Sequence, residues 1–227
     1  MIKLSSRLKA IAELVPDCSN IVDIGCDHGL LDIYLTQNKK NITIIASDIN
    51  QNALNNAIKN IKKEKLTSKI KTVLSDGLDN IDTKNIDTII ISGMGSHTIT
   101  KILLTNSEKI KHIDTLIIQS NNDLAFLREQ ITKMNYYIED ERLVSDNKKI
   151  YTIIKFKRGK KRYSYKELLF GPILLKNKTK LFHEKNNQEL QTLELIYPKI
   201  PKGHISYKIK TFFKIKMYKK ILLEKTK

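Results

Sequence analysis

Between an apolar stretch and a helix-like one lies Val22-Asp23-Ile24-Gly25-Cys26-Asp27-His28-Gly29, a loop whose residue types suit a nucleotide-like cofactor. A glycine directly after a strand lets the chain turn sharply and lets a ligand approach without a Cβ in the way. The following helix then aims its first amides into the same crevice. The dinucleotide version of such a loop reads G-x-G-x-x-G. Here only Gly25 and Gly29 are present, and Asp27 stands where the middle glycine would admit a pyrophosphate. A carboxylate at that position repels phosphate and suits a cationic, hydrogen-bond-donating ligand, of which S-adenosylmethionine, with its sulfonium and ammonium groups, is one. Taken alone, the loop reads equally well as a tight structural turn.

Three further features fall at the offsets such a site needs. Ile42 to Asp48 reads as a second strand ending in an acid 23 residues beyond Gly25, where a carboxylate can accept hydrogen bonds from vicinal ribose hydroxyls. A third strand, Ile70 to Leu74, ends in Ser75-Asp76-Gly77; an acid there could hold an adenine amino group, although Asp76-Gly77 by itself is an ordinary turn sequence. A fourth, Asp87 to Ser92, opens into Gly93-Met94-Gly95-Ser96. Four consecutive strands ending in acid or glycine place these groups along one edge of a parallel sheet, the edge at which open α/β sheets bind ligands.

The elements that must position this edge follow from periodicity. Ser5 or Ser6 caps an N-terminal amphipathic helix with Leu8, Ile11, Ala12 and Val15 on one face. After the fourth strand come a helix from Ser96 to Asn106, a strand from Thr115 to Gln119 and a helix from Asp123 to Met134. Two β-rich segments follow, Tyr137 to Val144 and Ile150 to Lys157, joined by the turn sequence Ser145-Asp146-Asn147. Strand-helix alternation ending in a hairpin fits a seven-stranded mixed α/β sheet whose last strand inserts antiparallel beside the sixth. Beyond the basic link Arg158-Gly-Lys160-Lys161-Arg162 and the break Phe170-Gly171-Pro172, two glycine- and proline-free segments, Thr179 to Tyr197 and Ile205 to Glu224, flank Pro198-Lys-Ile-Pro201-Lys-Gly203 and predict an α-helical hairpin. Its apolar seam is predicted to include Leu193, Ile196, Ile205, Ile209, Phe212 and Phe213, with Asn186 interrupting it.

Charge divides the chain in the same place. Residues 1–150 carry 20 Lys and Arg against 19 Asp and Glu, whereas residues 151–227 carry 21 against 5, so the C-terminal part holds +16 of the net +17. Such a surface calls for a polyanion, and phosphate neutralisation with counterion release is the physical basis for binding one. A codon pool rich in lysine is the alternative source of the charge, but it would not spare the first 150 residues. The reading is therefore a catalytic domain over 1–158 and a basic helical unit over 159–227. Two cysteines are too few for a disulfide framework, five scattered histidines show no metal-ligand spacing, and no apolar run reaches membrane-spanning length. These features point to a metal-free cytoplasmic protein without a membrane span.

Asp23-Ile-Gly-Cys-Asp-His28, Ser47-Asp48-Ile49, Asp76-Gly77-Leu78, Ser92-Gly93-Met94-Gly95, Gln119-Ser-Asn121 and Phe170-Gly-Pro172 fall in an order and spacing that resemble the bacterial TrmK family of tRNA (adenine-N1)-methyltransferases, which modify adenosine 22. The resemblance spans almost the whole chain. It implies a class I Rossmann-like methyltransferase domain, S-adenosylmethionine as donor with S-adenosylhomocysteine as product, and a C-terminal coiled-coil-like unit that helps hold tRNA. The implied cofactor contacts are Asp23, Gly25, Cys26, His28, Asp48, Ile49, Asp76, Gly77, Gly93 and Met94. RNA contacts are expected at Arg158, Lys160, Lys161, Arg162 and Asn121, and no obligate protein partner is expected, so the protein reads as a monomer. Two positions depart from the family: Asp48 stands where glutamate is common, and Ser120 where proline is common, which implies a looser loop around Asn121 and Asn122.

Adenine N1 carries its own lone pair and needs no strong general base, but alkylating it puts positive charge on the base. A fixed carboxylate near the Watson–Crick edge stabilises that charge, and Asp27 is the candidate catalytic residue. The Asn/Asp-Pro-Pro-aromatic motif used on exocyclic amino groups does not occur in the sequence. The target base must leave its stack, and Tyr34, Tyr136, Tyr137 and Tyr151 are possible platforms, with core packing the alternative for each. His28 either contacts cofactor or base or orients the loop, Cys26 reads as a small buried spacer, and Met94 as packing against cofactor or base. Two other readings fit the same residues: methylation of another RNA base, and an inert Rossmann-like RNA-binding module. Intact Asp23, Gly25, Asp48 and Asp76 argue against the latter.

Overall fold

The computed structural model describes residues 2–224, so the last three residues of the basic C-terminal segment lie outside it. Along the chain run α1 (Ser6–Leu14), β1 (Asn20–Ile24), α2 (Leu30–Asn38), β2 (Thr43–Asp48), α3 (Gln51–Lys63), β3 (Ile70–Leu74), β4 (Thr88–Met94), α4 (Ser96–Thr105), α5 (Ser107–Ile110), β5 (Thr115–Ser120), α6 (Leu124–Lys133), β6 (Tyr136–Asp146) and β7 (Lys149–Arg158). After these come α7 (Tyr165–Phe170), α8 (Leu174–Asn177), α9 (Lys180–Ile196) and α10 (Ile205–Leu223). Caps match the sequence: the Ser5 side chain accepts from Leu8 N, and the Asp123 side chain accepts from Phe126 N.

The strands form one sheet in the order β3-β2-β1-β4-β5-β7-β6. β1 to β5 pair in parallel, and β7 inserts antiparallel between β5 and β6. Central strands are apolar on both faces because helices cover both. Ile21, Ile44, Ala46, Ile90 and Ile117 meet α1, α2 and α3, while Val22, Ile89, Ile91, Leu116 and Ile118 meet α4 and α6. Chain order reverses between β1 and β4, which makes their carboxyl ends the topological switch point. β4 extends further than the sequence suggests. It runs through Gly93 to Met94, shifting register against β5 between Ser92 and Met94, with Gly93 in the left-handed region at φ +81°.

The C-terminal unit has its own small core, Phe170, Leu174, Phe182, Tyr218 and Ile221, with Leu143 of β6 packed against it. α9 and α10 pair as an antiparallel hairpin that is tight near the sheet. Towards the tip, Ile196, Ile205, Ile209, Phe212 and Phe213, expected in the seam, are exposed instead. Two helices alone bury only the narrow stripe that faces the partner, and among the described residues no third element covers the remainder. Asn186 is buried and donates from Nδ2 to the Phe182 carbonyl at 2.7 Å, which satisfies it within its own helix.

A buried ion pair joins this unit to the sheet. Arg128 of α6 donates from Nε to Glu141 Oε1 of β6 at 2.7 Å, both side chains being at most 1% exposed. Arg128 Nη1 also donates to the carbonyls of Leu168 and Leu169 in α7, and Glu141 Oε2 accepts from Ile173 N at 3.0 Å. Gly171 explains the Phe-Gly-Pro break. Its φ is +89°, and a Cβ there would lie 2.5 Å from Glu141 Oε2 and 2.9 Å from Arg128 Nη2. Removing one partner of such a pair strands the other charge in the interior, so Arg128→Ala and Glu141→Ala are each expected to cost about 3–5 kcal/mol of unfolding free energy. Arg128→Met/Glu141→Leu together should cost less than the sum of the single changes, and urea melts followed by circular dichroism check the series.

Candidate active site

The switch point holds a cavity of about 400 Å³ lined by Arg7, Asp23, Gly25, Cys26, Asp27, His28, Gly93 and Met94 among others. The loop after β1 is tied to β2: Gly25 N and Cys26 N both donate to the Ser47 carbonyl, at 2.8 and 2.9 Å. Gly25 is required by its φ of +81°, which L side chains rarely adopt, and the Met94 methyl carbon packs where a Cβ would stand, 2.6 Å away. Asp27 occupies the left-handed region at φ +50°, and its N–H donates to Asp48 Oδ2 at 3.2 Å. The other Asp48 oxygen accepts from Asn50 N at 2.8 Å. A carboxylate has about four lone-pair sites, so Asp48 keeps acceptor capacity for hydroxyl groups. The side chain of Asp27 is 73% exposed at the mouth, with His28 Nε2 at 3.6 Å from its Oδ1. His28 also fixes the loop through its carbonyl, which accepts from Asn60 Nδ2 at 2.9 Å.

Beneath this loop lies a feature the sequence reading missed. Asp32, in the first turn of α2, is fully buried, neither of its carboxylate oxygens meets a donor from the rest of the protein, and it faces the carboxyl of buried Asp23. Two acids in contact out of water cannot both ionise. Burial, followed by the charge of Asp23, raises Asp32 well above the usual carboxylate range, so it keeps its proton and faces Asp23 as a donor. Asp23 itself is pushed up to about 7, mainly by burial and also by the Asp48 charge, with Asp32 and Arg7 pulling it down. The signal was present in the sequence: Asp32 interrupts the otherwise apolar Leu30-Leu31-Asp32-Ile33. Burial and the neighbouring carboxylates push the Cys26 thiol far up, which leaves it an inert spacer.

A second omission is Arg7. From α1 it reaches across the sheet edge, donating from Nη1 to buried Gln119 Oε1 at 2.7 Å. The same oxygen accepts from Gly93 N at 3.1 Å, Gln119 Nε2 donates to Asn121 Oδ1 at 3.0 Å, and Asn121 Nδ2 donates to the Gly93 carbonyl at 2.7 Å. This ring holds the ends of β4 and β5 together, and it occupies both polar groups of the Asn121 side chain. Ser120, which stands in place of the family's proline, bonds within this loop: its Oγ donates to the Asn122 carbonyl at 2.9 Å.

Not every expected contact lines the cavity. Ile49 is 68% exposed on the rim, Asp76 lies next to the end of β2 on the exposed side, and Gly77 is buried against Ile102, where a Cβ would come within 2.8 Å. Arg158, Lys160, Lys161 and Arg162 lie at the opposite edge of the sheet, because Lys157 pairs with Thr115, the first residue of β5. There Arg158 donates to the Lys111 carbonyl and stacks 5.1 Å over the Tyr136 ring. Among the described residues no cluster of three or more potential metal ligands occurs, and no helix is long and apolar enough to cross a membrane.

A crevice at the switch point whose lining includes Asp23 and Asp27, and whose loop lacks the glycines a pyrophosphate needs, suits S-adenosylmethionine; Asp48 stands beside this lining, tied to it by the amide of Asp27. Comparison with known proteins agrees. The family described as TrmK, tRNA (adenine(22)-N(1))-methyltransferase, matches residues 21–221. A Bacillus subtilis tRNA (adenine(22)-N(1))-methyltransferase is 33% identical over 205 residues, covering 88% of this chain and 86% of that protein. The structure of M. capricolum TrmK in complex with S-adenosyl-homocysteine superposes with a TM-score of 0.85 at 34% identity, covering 96% of this chain and 97% of that one. A Streptococcus pneumoniae protein in complex with S-adenosyl-L-methionine superposes with a TM-score of 0.89 at 27% identity, covering 97% and 100%. The chain belongs to the TrmK family of tRNA (adenine(22)-N(1))-methyltransferases.

Proposed function

We propose a division of labour among these residues for S-adenosylmethionine-dependent methylation of adenosine 22 N1 in tRNA. The observation that carries it is the coupling of two cavity walls: Gly93 and Arg7 of the acid-lined crevice contact Asn121 and Tyr151, which line a cleft that also holds Lys148, Lys149, Lys185 and Lys214. S-adenosylmethionine, when bound, supplies an electrophilic methyl group. Asp23, with Asp32 behind it, would hold the amino-acid end, Asp48 the ribose, and Met94 would pack over Gly25 to set the depth of the crevice. Asp27, at the mouth, is positioned to face a base entering from the cleft and to stabilise the positive charge that grows on the adenine as N1 is alkylated. It acts by charge and requires no proton transfer.

The C-terminal unit would hold the RNA by its phosphates, since residues 151–227 carry +16 of the net +17 charge and the unit supplies Lys185 and Lys214 to the cleft, where Lys148 and Lys149 at the β6–β7 turn add two further cations. Arg158, Lys160, Lys161 and Arg162 lie too far round the sheet to share that rim; they remain candidates for contacts with a distal part of a molecule as long as tRNA. The protein is proposed to work in the cytoplasm as a monomer, as the sequence reading expects.

Asp27→Asn keeps the left-handed backbone and the amide bond to Asp48 while removing the charge. It is expected to lower kcat about 100-fold with cofactor affinity unchanged, read in single-turnover methyl transfer and calorimetry. Full activity would exclude the electrostatic role. The acid pair makes a second prediction. The folded protein retains on Asp23 a proton that an unfolded aspartate loses near 3.8, so the cofactor-free protein loses stability as pH rises from 3.8 to about 7, and less steeply beyond that, where Asp32 alone still holds its proton. A cation bound at Asp23 reverses the preference, so cofactor affinity should rise towards pH 7 with proton release, visible by calorimetry in buffers of different ionisation enthalpy. Asp32→Asn, which can still donate, should bind nearly as tightly, whereas Asp32→Leu should weaken binding by about 2 kcal/mol, roughly 30-fold.

A further inference from the structure

The cleft beside the cofactor crevice has a volume of about 730 Å³, walled by the Asn121–Asp123 loop, the start of β7 and the facing sides of α9 and α10. Of the four tyrosines the sequence offers as stacking platforms, three are occupied elsewhere. The Tyr136 hydroxyl lies 3.0 and 2.9 Å from the carbonyls of Ile110 and Ile113 in the core, Tyr137 lies against Gly159 at the far edge of the sheet, and Tyr34 packs with the α1–α3 face. Tyr151 lines the cleft. Its ring carries the Arg7 guanidinium 5.6 Å from its centroid, and Arg7 is the residue that also lines the cofactor crevice and binds Gln119.

We propose that this cleft is a nucleotide subsite and that Tyr151, fixed from behind by Arg7, is the platform on which the target adenine stacks after leaving the RNA. The inference rests on the reading of the chain as an RNA adenine-N1 methyltransferase and extends it to the residue that receives the base. Three observations converge on it. An extruded base needs an aromatic face to replace its lost stacking. The platform must adjoin the crevice, and Arg7, whose guanidinium lies over the Tyr151 ring, lines that crevice and is hydrogen-bonded through Gln119 to Gly93 in its wall. The flanking phosphates need cations, which Lys148, Lys149, Lys185 and Lys214 supply around the same cavity. Arg7 thereby acts as a positioning residue, holding the platform and the β4–β5 loops in one register.

The test uses the full-length protein with unmodified tRNA and with tRNA carrying 2-aminopurine at position 22, each with S-adenosylhomocysteine or S-adenosylmethionine as the assay requires. Tyr151→Leu is expected to lower kcat/KM for methyl transfer at least about 10-fold while leaving the affinity for S-adenosylhomocysteine unchanged. In its complex the 2-aminopurine should fluoresce more brightly than in the wild-type complex, where the tyrosine quenches it. Tyr151→Phe should match the wild type in both assays, which a role for the hydroxyl would not allow. Lys214→Glu leaves Tyr151 in place and should weaken tRNA binding about 10-fold with cofactor affinity intact. Wild-type kcat/KM and unchanged 2-aminopurine emission in Tyr151→Leu would overturn the platform, and unchanged tRNA affinity in Lys214→Glu would take the RNA out of this cavity. A wild-type protein that binds cofactor but leaves adenosine 22 unmethylated would overturn the underlying reading itself.

Discussion

The Arg128–Glu141 pair sets the geometry on which the other arrangements depend. Neither charge reaches water, so each is tolerable only while the other is in place and the remaining donors and acceptors are filled. They are filled by the carbonyls of Leu168 and Leu169 and by the amide of Ile173, three backbone groups of the segment that leads into the helical hairpin. The pair therefore fixes where the hairpin leaves the sheet. Since α9 and α10 form one wall of the cleft and the sheet edge forms the other, the width of the cleft is set by hydrogen bonds made on the side of the sheet that α6 covers.

A similar economy holds at the cofactor crevice. The loop after β1 spends two amides on one carbonyl of β2 and a third on Asp48, so the backbone donors that would cradle a phosphate are already engaged. The lining of the crevice includes Asp23 and Asp27, with Asp48 beside it at the end of β2, and the guanidinium of Arg7 in the same lining is already bonded to Gln119. Asp32 keeps this concentration of carboxylates tolerable in the interior by remaining protonated. Such a lining favours a cationic ligand over a phosphate.

Much of this was legible in the sequence. The seven strands and their order of appearance follow from the apolar pattern, because a sheet covered on both faces imposes nearly continuous Ile and Val runs, while the inserted last strand was legible only through likeness to a known sheet. The glycines and acids at strand ends were legible for the same reason: their spacing is dictated by the lengths of the elements between them. What escaped is what depends on contact between distant segments. Arg7 and Gln119 carry no local signature, since their meaning arises only when α1 packs beside β5. Asp32 reads as a polar interruption until the sheet places Asp23 against it. Ile205 and Phe213 look like seam residues, and only the absence of a third packed element among the described residues leaves them exposed. The basic link at 158–162 was assigned by composition, which reports charge but not which end of a strand it occupies.

The cleft has a consequence for the order in which the protein becomes competent. Its walls draw on Asn121, Tyr151, Asn186 and Tyr218, and the residue behind Tyr151 is Arg7. The residues that line the crevice all precede β5 in the chain, whereas the cleft draws its far wall from α9 and α10. In chain order the crevice is therefore specified first and the cleft beside it only when the helical hairpin follows.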